Sequence, residues 1–267
     1  MMRIRRFTPI QKTFHLLLIV TFMIQAVTGM SRMYSTTLFG KALGAPFGGY
    51  VNCLAIHKVV GVAMLLLFIC HIIYALFLVL AGKVERQDSL IPHLRDFKEF
   101  FGHLRWMIGG KLPRFGRWAY WEKFDYWAVF WGMVLLGRTG LLLFDPVETA
   151  RYIDGSELNI ALWMHRLEAI LAMGYIFLIH FGVVVLRKHS FPMDQAMWGG
   201  DADYETVQIE RSEWLENLEA SGQLDNLIIK DSNTVLTTLS YLVGLGGVTL
   251  GVYLVIGGLM NAHLIPW

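Results

Sequence analysis

Cysteine is nearly absent: two residues, Cys53 and Cys70, in a chain of 267. Neither belongs to a CxxCH or CxxC motif, so covalent attachment of a c-type haem and a cysteine-ligated iron–sulfur cluster are both without support. A disulfide between them is not expected, because Cys70 falls in the middle of an apolar run, near the membrane face opposite Cys53. Charge is scarce as well. Only 16% of residues are Asp, Glu, Lys or Arg, against 55% hydrophobic, which excludes an ordinary soluble domain and fits a polytopic membrane protein surrounded by lipid. The net charge of +2 gives no sign of a nucleic-acid partner. No cleavable signal peptide is expected, since MMRIRRF runs into a long apolar helix without a small-residue cleavage site. Repeats and low-complexity tracts are missing too.

What is present is a set of long apolar runs. Five spans are predicted, at 12–34, 54–80, 122–144, 161–186 and 234–260, each near or above the roughly 20 residues needed to cross a bilayer. Basic residues gather at the N-terminus (Arg3, Arg5, Arg6, Lys12) and in the second-to-third connection (Lys83, Arg86, Arg95, Lys98, Arg105, Lys111, Arg114, Arg117, Lys123). The opposite loops hold only Lys41 and Arg151. Positive charge stays on the cytoplasmic side, so the N-terminus is expected inside and the C-terminus outside, in a bacterial inner membrane. The polar segment 187–233, acidic after Lys188, is then cytoplasmic. The boundaries predicted are 1–190 for the main bundle, 191–233 for a cytoplasmic segment and 234–267 for an additional membrane helix.

Two of the runs each carry a pair of histidines: His57 with His71, and His165 with His180. An imidazole in hydrocarbon is costly and is generally retained for function. Fourteen residues of helix rise roughly 21 Å and bring the second ring back to within about 40° of the first; fifteen residues miss by about 60°. With the orientation above, His57 and His165 lie near the outer face, and His71, His180 and His15 of the first span lie towards the inner face. Two such helices side by side present imidazoles at two matched depths, which suits two bis-imidazole haems stacked across the bilayer. For any one histidine in an apolar run, a satisfied core residue is the better reading; five on three helices at two levels is a different pattern. Zinc would want clustered ligands, often with Cys or carboxylate. Proton-relay histidines in a haem-free anchor or transporter are the main rival.

Other residues are less telling. Gly61, one turn after His57, would let a flat macrocycle approach the backbone, although small residues also serve plain helix packing. Arg138 in the third span and Glu168 near His165 want partners; a haem propionate or each other would satisfy Arg138, as would snorkelling to the interface. His93, His103, His189 and His263 read as solvated surface. Trp118, Tyr120, Trp121, Tyr126 and Trp163 read as an interfacial belt. In the last span, Gly244, Gly246, Gly247 and Gly251 suggest close helix packing.

Taken together, several stretches resemble a known family. RFTPIQKTFHLLLIVTFMIQAVTGM, with Arg6, His15, Phe22, Thr28 and Gly29, resembles the first span of the gamma subunit of membrane-bound formate dehydrogenase and of the cytochrome b of nickel–iron hydrogenase. IHKVVG at 56–61 is similar to the second-span motif. The stretch 116–144, with Lys123, Trp127, Thr139 and Gly140, is similar to the third span, and MHRLEAILAMGYIFLIH at 164–180 to the fourth. HSFPMDQAMWGG is similar to a subgroup with an extended tail and a fifth helix. The likeness covers about residues 5–200. It implies an all-α, four-helix haem-binding bundle plus a fifth transmembrane helix, with two haem b groups, exchanging electrons with a quinone (menaquinone or ubiquinone). It also implies a redox partner, an iron–sulfur or multihaem cytochrome c subunit of a respiratory complex.

The same resemblance assigns His57 with His165 to an outer haem and His15 with His180 to an inner one. The chain departs from that pattern at His71, whose spacing from His57 is instead like the pairs of bc-type cytochromes, giving His71 with His180. A third haem would need both His15 and His71 and one more ligand. A second departure lies before the third span, where Ala119, Trp121 and Glu122 replace polar residues at the family's quinone site. Glu122, Lys123 and Asp125 are the polar candidates for an inner quinone pocket; plain interfacial charge is the competing reading. The function expected is electron transfer between the quinone pool and a periplasmic-side redox partner. The alternative is a stand-alone quinone oxidoreductase like bacterial cytochrome b561, which would turn over quinone without partners.

Overall fold

The architecture comes from a computed structural model that describes residues 2–84, 89–186, 191–229 and 234–265. Arg86, Lys188 and His189, placed above in cytoplasmic loops, lie outside the described residues. The chain opens with β1 (Arg3–Arg5) and α1 (Pro9–Met33), followed by α2 (Leu38–Gly44) and α3 (Tyr50–Leu80). Next come α4 (Leu94–Met107), α5 (Tyr120–Leu142), α6 (Pro146–Thr149) and α7 (Gly155–Gly174). A π-helical turn, Tyr175–His180, joins α7 to α8 (Phe181–Leu186). The polar segment between α8 and α12 holds α9 (Ala196–Gly199), β2 (Asp201–Asp203), α10 (Tyr204–Glu210), α11 (Ser212–Ala220) and β3 (Ile228–Ile229), and α12 (Thr234–Asn261) closes the bundle.

Four helical stretches are long and apolar enough to cross a membrane: Pro9–Met33, Tyr50–Leu80, Gly155–Leu186 and Thr237–Leu264. The fifth, α5, is less apolar because it carries Glu122, Lys123, Asp125 and Arg138, yet its 23 residues pack between α3 and α7. A helix is present at each of the five predicted positions, with ends moved by a few residues, and four of the five are long and apolar enough to cross. Thr8 starts α1 by accepting from the Gln11 amide while Gln11 reaches back to the Thr8 N–H, with Pro9 at the first helical position.

Glycine positions α12. A Cβ at Gly251 would fall 2.6 Å from the Phe177 ring, and Gly244 lies against Met193, so these two of the four predicted glycines let neighbours approach closely. Gly246 meets nothing, and Gly247 only grazes Phe181. Gly257 and Gly258, outside the predicted set, receive Phe39 and Met30, and the Gly258 carbonyl accepts from the Tyr34 hydroxyl at 2.9 Å.

That polar segment contains structure that hydropathy does not reveal. β1 lies between β2 and β3 in a small antiparallel sheet, with Ile4 opposite Ala202 and Ile228. Ile4 is fully buried against Val207, Trp214, Leu215 and Leu218. The tail thus folds onto the chain's own N-terminus, and Arg95 on α4 ties it down further through a bidentate pair with Glu213 at 2.5 and 2.6 Å. β1, the α4 connection and the tail all sit at one end of the bundle, the end where the basic residues gather.

Candidate functional site

The histidines expected on the outer side come together first. His57 on α3 and His165 on α7 have ring centroids 6.3 Å apart. Each ring is held by a threonine: Thr28 Oγ1 lies 3.0 Å from His57 Nδ1, and Thr139 Oγ1 lies 3.0 Å from His165 Nδ1. Each hydroxyl has one proton and gives it to its own helix, Thr28 to the Ile24 carbonyl and Thr139 to the Leu135 carbonyl, both at 2.7 Å. The hydroxyl oxygens must therefore accept from Nδ1–H. That fixes the tautomer and leaves each Nε2 lone pair free for a metal. The glycine after each threonine makes room for the ring: a Cβ at Gly29 would fall 3.2 Å from His57 Cε1, and one at Gly140 would fall 3.4 Å from His165 Cε1. The Thr-Gly pair of α1 and that of α5 thus do the same work twice.

At the other level, nearer β1, the partner of His180 is His15, with ring centroids 6.5 Å apart. His71 is turned elsewhere: its Nε2 lies 3.1 Å from the Tyr126 hydroxyl, and its ring packs edge-on against Phe14. His180 Nδ1 lies 3.2 Å from Asp125 Oδ2, and the Tyr175 hydroxyl donates to Asp125 Oδ1. His15 Nδ1 is buried without a hydrogen-bond partner. Tyr175 and His180 sit at the two ends of the π-helical turn, a local widening that recurs at functional sites. The extra residue in that turn absorbs part of the angular mismatch of the fifteen-residue interval from His165.

These pairs fit a bis-imidazole iron. The centroid separations of 6.3 and 6.5 Å leave room for one metal ion between the two rings of each pair. Among the described residues no three His, Cys, Asp or Glu side chains converge on one metal position.

The other candidates fall as follows. The space over Gly61 is taken by the Gln25 amide, whose Nε2 donates to the His57 carbonyl at 2.8 Å. Arg138 is exposed and makes no ion pair among the described residues, while Glu168 Oε1 lies against Gly132. Glu122 accepts from Arg6 at 2.5 Å, forms an ion pair with the Arg211 guanidinium at 2.9 Å, and also caps the Ala119 N–H. Burial alone would lower the Arg6 pKa; the carboxylates of Glu122, Asp194 and Glu210 hold it above its ordinary value. Buried Lys123 pairs with Asp96 at 2.8 Å. Of the three polar candidates before the third span, Asp125 alone reaches a histidine pair.

Two surface readings need correction. His103 is half-buried rather than open surface: it bonds Tyr120 Oη at 3.0 Å and packs among Trp106, Phe115 and Trp121, because α4 lies against α5. His93 caps α4, its N–H donating to Asp96 at 2.6 Å. His263 is exposed, as expected. Trp118 and Trp121 are more than a lipid-interface belt, since the Arg6 and Arg117 guanidinium groups lie over Trp118 and Arg211 lies over Trp121 at 5.0 Å. Sequence reasoning missed the anchoring role of Thr28 and Thr139, the bond from Asp125 to His180, and Arg32, whose buried Nε has no partner. The repeated Thr-Gly pair was the available signal for the first of these.

Comparison with known proteins agrees with this geometry. The profile of prokaryotic cytochrome b561 matches residues 6–200, which takes in all five paired or rival histidines. No curated protein matches the chain. With that match over most of its length, the chain belongs to the prokaryotic cytochrome b561 family, multi-pass bacterial membrane proteins that bind haem b and carry electrons.

Proposed function

We propose that this chain is a di-haem electron-transfer subunit, with His57 and His165 holding the outer haem and His15 and His180 the inner one. The observation that carries the reading is the presence of two imidazole pairs, at 6.3 and 6.5 Å, on two levels of one bundle. When bound, each haem would supply reversible one-electron chemistry, held by its two histidines. The protein's part is to orient the rings through Thr28, Thr139 and Asp125 and to keep water from the apolar interior. Arg32 and Arg138, both on the outer level, supply cations for haem propionates. His71 is then a neighbour that bonds Tyr126 rather than a ligand.

Asp125, beside the inner pair, is the polar group best placed for a quinone at the inner face; Glu122 and Lys123 serve the frame through their ion pairs. The basic residues gathered at that end of the bundle support its cytoplasmic placement. The outer haem would meet a periplasmic redox subunit, an iron–sulfur protein or a multihaem cytochrome c. The test uses proteoliposomes: a membrane-soluble ubiquinol or menaquinol should reduce the bound haem, and ferricyanide outside should reoxidise it. A haem that no quinol reduces overturns the quinone link.

One observation favours the stand-alone alternative. The tail and α12, which could have been docking surface, are packed against the chain's own β1, α1 and π-helical turn. Steady quinone turnover by the isolated chain, with no added subunit, would select that reading.

A further inference from the structure

The two imidazole pairs sit in opposite electrostatic surroundings. At the inner level a carboxylate stands directly behind a ring: Asp125 Oδ2 accepts from His180 Nδ1 at 3.2 Å. At the outer level both rings donate to neutral hydroxyls, Thr28 and Thr139. A carboxylate acceptor makes an imidazole a stronger donor to its metal than a hydroxyl does, and so favours the more positive oxidation state.

Nearby charge points the same way. Arg32 follows Gly29 by three residues and Thr28 by four, which places it on the same face of α1, one turn further out than the contacts with His57. Its Nε is buried and makes no hydrogen bond. Lys58, Arg138 and Arg166 lie towards the same end of the bundle, as do the acids Glu168 and, from the end of α5 to the first turn of α7, Asp145, Glu148, Asp154 and Glu157. At the inner end the cations nearest the start of α5 are held by partners of their own. Arg6 and Arg211 share Glu122, Lys123 pairs with Asp96, and Lys12 donates to the Gly199 carbonyl at 2.9 Å. Asp125 is left as the carboxylate next to a ligand ring.

Resting on the di-haem reading above, we infer that Asp125 and Arg32 set the order of the two potentials, lower at the inner haem and higher at the outer, so that electrons run downhill from the inner face to the outer. Asp125 acts through His180 and is a positioning residue. The reductant is a quinol at the inner face, which gives up two electrons in successive single steps and releases two protons to water. The oxidant is a one-electron metal centre of a partner at the outer face. Within the chain only an electron moves, and no bond is made or broken.

The test is a potentiometric titration of the purified holoprotein followed by its visible bands. The wild type should titrate in two steps, and His15→Ala should delete the lower one. Asp125→Asn keeps size and an acceptor oxygen but removes the charge, so it should raise the lower step by about a factor of ten in the reduction equilibrium, or about 59 mV for one electron, and leave the upper step in place. Tyr175→Phe removes the hydroxyl that shares Asp125 and should move the lower step further down. Arg32→Gln should lower the upper step alone. The inference is overturned if His15→Ala deletes the higher step, or if Asp125→Asn moves neither step or both equally. If Asp125→Asn loses its haem, Tyr175→Phe decides by sign: a downward shift of the lower step supports the inference, and no shift or a rise overturns it. A wild-type protein with fewer than two haems fails the di-haem reading itself, a different result from two haems in the wrong order.

Discussion

Thr139→Val is the sharpest test of how the outer ring is held. Valine keeps the shape and removes the hydroxyl, so His165 Nδ1–H loses the acceptor now 3.0 Å away. Thr139 is buried, with 3% of its surface exposed, so no water replaces that acceptor cheaply. The Leu136 carbonyl also reaches the ring and offsets part of the loss; a buried donor left wholly unsatisfied costs about 1–3 kcal/mol, and about 1.4 kcal/mol is a factor of ten. The free ring can also take the other tautomer, which puts a proton on the nitrogen meant for iron. Changes behind a metal-bound imidazole cost roughly 10–100-fold in affinity, the same range. Haem transfer to an excess of an apo-globin acceptor would measure it. Thr139→Val should release one haem about ten times faster or more, while Thr139→Ser, which keeps the hydroxyl, stays near wild type. Equal release from Val and wild type would refute the idea that the hydroxyl fixes the ring. Thr28→Val should act alike through His57.

Three further outcomes are expected. Glu122→Gln leaves Arg6 and Arg211 facing one another without their shared carboxylate; breaking such a pair costs about 3 kcal/mol, so the thermal midpoint should fall by roughly 6–12 °C, with faster proteolysis of 191–229. Burial raises the Glu99 pKa despite Arg95, so its contribution to stability is full below the unfolded carboxylate value of about 4.3 and is lost as pH rises through the native one. Glu99→Gln should therefore melt higher than wild type at pH 7 and converge with it near pH 4, as differential scanning fluorimetry will show. Gly251→Leu drives a side chain into the Phe177 ring and should lower the midpoint, whereas Gly246→Leu, which meets nothing, should not.

The parts legible in the sequence were those carried by long-range average properties or by chemical outliers. Apolar runs of more than twenty residues announce the spans whatever their packing, and a histidine inside one stands out. Which histidines pair depends on how each helix is rotated against its neighbours. Spacing along one helix could not choose between His15 and His71, whereas the inter-helix contacts place His15 against His180 and His71 against Tyr126. β1 was invisible because three residues alternating Arg-Ile-Arg carry too little pattern to separate a strand from a basic tail. Glu122 and Asp125 look alike in sequence, three residues apart at the start of α5. Only the fold shows that one faces Arg6 and Arg211 while the other faces His180. The π-helical turn has no composition signal, since YIFLIH would fit an α-helix equally well.

The most direct measurement is a pyridine-haemochrome count per purified chain, repeated on His15→Ala and His71→Ala. Two haems in the wild type, one in His15→Ala and two in His71→Ala is the predicted result. A colourless protein, a wild-type count of one, or a haem lost from His71→Ala and kept in His15→Ala would contradict the account.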